Sequence, residues 1–169
     1  MGIAKIRRLS RQDNGVPERA EPRYWHYTAV LENILESSEI QLATRGLPPH
    51  VRPATWFSTN PQWERTVRKR LRDPRTGAVS KLLSREGLFA AGLKPARIEV
   101  SPELPFITWE AYRQLSGESP EVLDGLETAA QEWGADSREW RAVFAPVPRS
   151  QWKAVEVWDG KTWQEVNGH

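Results

Sequence analysis

Three histidines, His26, His50 and His169, stand far apart in a chain that has no cysteine. That spacing offers no metal-ligand set, and there is no thiolate to serve as nucleophile or zinc ligand. P-loop, GxGxxG, GxSxG and HExxH patterns are missing too, so an enzyme made from this chain works through binding groups, a carboxylate or a hydroxyl. His26 is the most informative of the three, because it lies between Trp25 and Tyr27 in a β-prone run just ahead of a helical pattern. Taken alone it reads as a core or edge histidine. The densest charge lies at 65–85, where eight basic residues meet one acid, Asp73; the 54 residues that follow carry eleven acids and four bases. Arg65, Arg68, Lys69, Arg70 and Arg72 suit phosphate, since guanidinium presents a bidentate fork, and a solvated face is the plainer alternative. Arg97, between Ala96 and Ile98, needs an anion if it points inward. Its alternation with Glu99 equally fits an exposed cross-strand pair.

The elements that must position these groups follow from periodicity. Residues 1–22 have few apolar side chains and read as a flexible tail, with an arm of Lys5, Arg7, Arg8 and Arg11 as the functional alternative; 23–169 reads as one domain. Strands are expected at 24–28, 40–44, 54–59, 96–100, 140–145, 152–158 and 162–166. Thr28 is expected to cap a helix carrying Val30, Leu31, Ile34 and Leu35. Residues 62–72 form an amphipathic basic helix or a basic loop, and helices are expected near 109–115 and 120–133, the second with Val122, Leu126, Ala129, Ala130 and Trp133 on one face. Asp159-Gly160 signals a type I′ hairpin. Strands at both ends with helices between them argue for an α+β fold. Nine tryptophans among sixteen aromatic residues predict a core rich in indole, with N–H groups that want partners. No apolar run approaches the roughly 18 residues of a spanning helix, and the first thirty residues lack a secretory signal, so the expected setting is cytoplasmic with no membrane partner.

The order of these elements resembles the ADP-ribosyltransferase-like superfamily. Trp25-His26-Tyr27-Thr28 followed by Ile34-Leu35-Glu36-Ser37-Ser38 is similar to its first motif, with Ser38 where the family has glycine, and Trp56-Phe57-Ser58-Thr59 is similar to its second, with Trp56 in the tyrosine position. Glu156 in Ala154-Val155-Glu156-Val157-Trp158 is the best placed counterpart of the late-strand glutamate, although a different register would put Ala154 there. The resemblance implies split antiparallel sheets with short helices and an NAD-dependent transfer of ADP-ribose to a macromolecular acceptor, with NAD as substrate and no metal. It implies that His26 bonds the adenosine ribose, that Thr28 sits beside the nicotinamide amide, that Trp56 packs on the nicotinamide with Ser58 lining the pocket, and that Glu156 is catalytic. Arg97 would belong to the NAD site, and Arg65, Arg68, Lys69, Arg70 and Arg72 would meet pyrophosphate or a nucleic-acid substrate. A toxin, phage or defence context would suit the family. The competing reading is a non-catalytic nucleic-acid-binding domain that uses the basic 65–75 segment; an RNA 2′-phosphotransferase-like enzyme is a third.

Overall fold

Alternation produces nine short strands among the described residues: β1 (Tyr24–Thr28), β2 (Glu39–Ile40), β3 (Thr55–Ser58), β4 (Ala96–Val100), β5 (Ile107–Thr108), β6 (Trp140–Val143), β7 (Val147–Pro148), β8 (Trp152–Trp158) and β9 (Trp163–Glu165). They are seen in a computed structural model that describes residues 20–166. Seven of them form one sheet in the order β5-β6-β3-β1-β4-β8-β9, and β2 pairs with β7 in a separate ribbon. Every pairing is antiparallel. The helices are α1 (Leu31–Ser37), α2 (Arg85–Ala90), α3 (Trp109–Leu115) and α4 (Pro120–Glu132), so the fold mixes helix with antiparallel sheet, as the sequence predicts.

Register decides what each face of the large sheet carries, since directly paired residues point the same way. His26, Ile98 and Val155 are in line across β1, β4 and β8, and they share a face with Phe57, Val100 and Val143. That face is the main apolar core, closed by Leu31 of α1 and by Ile40 and Val147 of the ribbon. The other face carries Trp25, Tyr27, Trp56, Ser58, Arg97, Glu99, Trp140 and Glu156. Leu88 of α2, Trp109 and Tyr112 of α3, and Leu123 and Ala130 of α4 pack over it in two smaller clusters.

Several expectations are corrected. Thr28 does not cap α1: Val30 holds the cap position, and the Thr28 hydroxyl instead accepts from Val30 N at 3.0 Å. Ser38 ends that helix in the left-handed conformation, φ 55°, which a glycine ordinarily serves. The strand expected at 40–44 shrinks to β2 and one bridge between Ala43 and Ala54. Of the two options for 62–72 the loop is found, because side chains take the backbone donors a helix would use: Glu64 accepts from Thr66 N, and Ser80 Oγ accepts from Leu71 N. Bridges Lys69–Leu83 and Arg72–Val79 then fold the segment into an irregular hairpin. In α4 the buried positions are Leu123 and Ala130, while Val122 and Leu126 are 46% and 56% exposed. At 159–162 only Gly160 has positive φ, so no type I′ turn forms; Asp159 Oδ1 braces a longer connection by accepting from the backbone N–H groups of Lys161 and Thr162, each at 2.8 Å. Residues 1–19, with the arm Lys5, Arg7, Arg8 and Arg11, lie outside the described residues. Among the described residues no helix is long and apolar enough to cross a membrane.

Candidate functional site

The second face of the sheet leaves a cavity of about 440 Å³ between β1, β3 and β6 beneath and α4 above. Its walls are Trp25, Tyr27, Trp56, Trp109, Trp133 and Trp140, joined by Leu126, Ala129 and Ala130 from one stripe of α4. Trp56 stands edge-on to Tyr112 at 4.5 Å and Trp109 edge-on to Trp140 at 5.0 Å, so the indole walls brace one another. Its polar lining residues are His26, Ser58, Glu64 and Thr66. Glu64 is only 8% exposed, and its Oε1 accepts from Thr66 N at 3.1 Å and Thr66 Oγ1 at 2.9 Å.

A second cavity of about 410 Å³ adjoins the first through Trp133 and is lined by Asn60, Gln62, Trp63, Arg65, Arg68, Ser84, Arg85 and Glu86. The Arg68 guanidinium lies 5.0 Å from the Trp133 ring centroid, at the boundary between the two. Arg65 lies against Gly134, just past α4, where φ is +77° and a Cβ would come within 2.8 Å of the guanidinium. Two guanidiniums are thus held beside an aromatic chamber. Lys69, Arg70 and Arg72 line neither cavity; they sit on the exposed 69–83 hairpin, whose tip is tied by Asp73 Oδ1 accepting from Arg75 N at 2.7 Å.

Trp56 and Ser58 therefore lie in the aromatic chamber, and Arg65 and Arg68 in the basic one. His26 also borders the chamber, but with its imidazole turned to the other face of the sheet, and the remaining expected site residues lie elsewhere. The His26 side chain occupies the opposite face and meets Phe57 edge-on at 6.0 Å. Its Nδ1 is 2.9 Å from the Trp56 carbonyl oxygen and so carries the proton donated there. Burial lowers the pKa of His26 against the opposing effect of that hydrogen bond, which leaves a neutral imidazole tying β1 to β3. Thr28 points the same way as His26 and is buried. Glu156 and Arg97 share the aromatic face but are engaged with each other: Arg97 Nε donates to Glu156 Oε2 at 2.6 Å and Nη2 donates to Oε1 at 3.1 Å. Arg97 Nη1 also donates to the Pro61 carbonyl, and its guanidinium lies 5.4 Å from the Trp25 ring and 4.6 Å from that of Trp163. In β8, Glu156 pairs with Arg97 and Ala154 with Glu99, on the same face of the sheet.

Sequence reasoning missed Glu64, the carboxylate in the chamber, because it opens a basic run and looks like surface. It also placed Trp109, Trp133 and Trp140 in the core, whereas they are chamber walls as well. The signal for Glu64 was the Asn60-Pro61 turn before it: Asn60 Oδ1 accepts from Gln62 N at 2.9 Å and sends the chain back over β1. The indole N–H groups are only partly matched. Trp109 Nε1 donates to Glu127 at 3.1 Å, but those of Trp25, Trp140 and Trp163 are buried without an acceptor. Among the described residues no group of acidic and histidine side chains is gathered to hold a metal ion. No protein-family model, curated protein or solved structure matches the chain.

Proposed function

We propose that the chain is an ADP-ribosyltransferase-like protein that binds NAD across the two joined cavities and transfers ADP-ribose to a macromolecular acceptor. The observation that carries this reading is the shared wall at Trp133, with an indole-lined chamber fit for a flat ring on one side and Arg65 and Arg68 fit for a pyrophosphate on the other. Trp56 floors the ring chamber. In the reaction the bond between the nicotinamide nitrogen and the ribose C1′ breaks, nicotinamide leaves with the bonding electrons, and an acceptor nucleophile takes its place at C1′. Fixed aromatic walls hold the leaving ring, and a carboxylate near C1′ stabilises the positive charge that develops there. With both oxygens on Arg97, Glu156 acts as a positioning residue, since Arg97 in turn anchors the Pro61 carbonyl and with it the loop lining both cavities.

Calorimetric titration with NAD tests the reading. Binding should appear at or below millimolar NAD, and Trp133→Ala should weaken it about tenfold or more, as loss of one stacking wall does, with far-UV circular dichroism unchanged. Absence of heat and of any spectral change at millimolar NAD would overturn it. The exposed Lys69, Arg70, Arg72, Arg75 and Lys81 of the 69–83 hairpin favour nucleic acid as the alternative partner. Affinity for a nucleic-acid duplex that falls steeply with salt and is lost in a charge-reversed hairpin would support that reading, and no salt-dependent binding would remove it.

A further inference from the structure

Glu64 is an acid in an unusual place. It is nine-tenths buried, it lines a chamber whose other walls are mostly indole, and it forms no ion pair with any described residue. Arg65 and Arg68, its neighbours in sequence, line the other cavity. The carboxylate is nevertheless fixed: Thr66 supplies both donors to Oε1, the Glu64 carbonyl accepts from Val67 N at 3.0 Å, and Arg97 pins the start of the loop at Pro61. Its other oxygen, Oε2, accepts no hydrogen bond within the described residues. That oxygen is not among the buried polar atoms left without a partner, so it stays open to a ligand in the chamber, and a cation there would meet an unpaired carboxylate. Indole faces are themselves attractive to cations through their ring quadrupole.

We infer that the chamber selects a positively charged planar ring, with Glu64 as its counter-charge and the tryptophans as its stacking walls. On the NAD reading, on which this rests for its natural ligand, the site prefers the oxidised pyridinium ring to the neutral dihydropyridine of NADH. Glu64 is then a specificity residue for ligand charge. Its Thr66 bonds persist in Glu64→Gln, where the amide oxygen accepts in place of the carboxylate, so the variant removes charge and keeps shape.

The test uses two small rings, 1-methylnicotinamide, a cation, and nicotinamide, its neutral counterpart, titrated into the full chain while the indole N–H resonances are followed by NMR. The unmodified protein should bind the cation about tenfold or more tightly than the neutral ring. In Glu64→Gln that preference should fall to within about twofold, with the indole resonances of the free protein otherwise in place. Equal affinity for the two rings, binding of neither, or a preference that survives Glu64→Gln overturns the inference. A Glu64-dependent preference for the cation in a protein that ignores NAD sustains it and overturns the NAD reading. NAD binding with no charge preference does the reverse.

Discussion

Two halves of the same sheet face hold buried charge in opposite ways. Across β4 and β8, Arg97 and Glu156 form a two-pronged ion pair, and beside it Arg23 Nε donates to Glu99 at 2.9 Å. Trp25 stands between the two guanidiniums, 5.0 Å from Arg23 and 5.4 Å from Arg97. Charge there is matched inside the protein. Across β1, β3 and β6 the aromatic rings surround open space instead, and the one acid lining that chamber, Glu64, has no basic partner among the described residues. A region whose charges are internally satisfied gains rigidity but offers a ligand little; a region that leaves one charge unmatched keeps it for recognition.

The largest effect that would break this contrast is at the matched pair. Arg97→Met should destabilise the fold by about 3 kcal/mol in urea unfolding, because it leaves the largely buried Glu156 without its counter-charge, and adding Glu156→Leu should recover most of that loss. If the single variant is as stable as the parent, the pair is not the brace described here. A smaller change addresses the chamber roof. Ser119 Oγ accepts from Val122 N at the start of α4, and Ser119→Ala should cost about 1 kcal/mol. Since α4 supplies Leu126, Ala129 and Ala130 to the chamber, ring binding should weaken with it, whereas hydrogen exchange of the β4 and β8 amides should be unchanged.

The smallest effect concerns pH. The folded-state pKa of His26 is lowered by burial, so the unfolded chain takes up a proton first as pH falls through the usual imidazole range near 6.5. The stability associated with His26 is therefore intact above that value and is lost as pH drops through the lowered one. Unfolding midpoints measured from pH 7.5 to 5 should decline, and His26→Gln should flatten the decline; an unaltered slope in the variant would place the titrating group elsewhere.

What was legible in the sequence was what depends on near neighbours. Ala96–Val100 is read to the residue, because alternation between Pro95 and Pro102 leaves no other option, and β1 and β8 are read with the same bounds. The aromatic face was half legible: Trp56 and Ser58 were assigned to a pocket, but nothing in the sequence showed that Leu126, Ala129, Ala130 and Trp133, the stripe expected on one face of α4, would roof it. His26 was read from its motif, and only the register of β1 against β3, with Trp25 opposite Ser58, shows that its side chain and that of Trp56 point to opposite faces. Arg97 offered two partners in principle, Glu99 along its own strand or an acid elsewhere, and the choice of Glu156 is a tertiary event 59 residues away. The 59–84 loop was the least legible, since Glu64, Ser80 and Asn60 settle it through side-chain to backbone bonds that no periodicity reports.

The strand order described above has a consequence for how the chain reaches this state. β1 is the first strand among the described residues, yet its sheet neighbour β4 begins at Ala96, and β4 is completed only by β8, which begins at Trp152. On the other side, Thr55 of β3 bonds the Val143 carbonyl 88 residues later. Few of the sheet contacts are local, so the loop-closure entropy of the whole chain is spent before the sheet rewards it, and folding should be slow for a domain of this size. Until β8 emerges from the ribosome, Arg97 lacks Glu156, and the central strands remain an open template exposed to their surroundings.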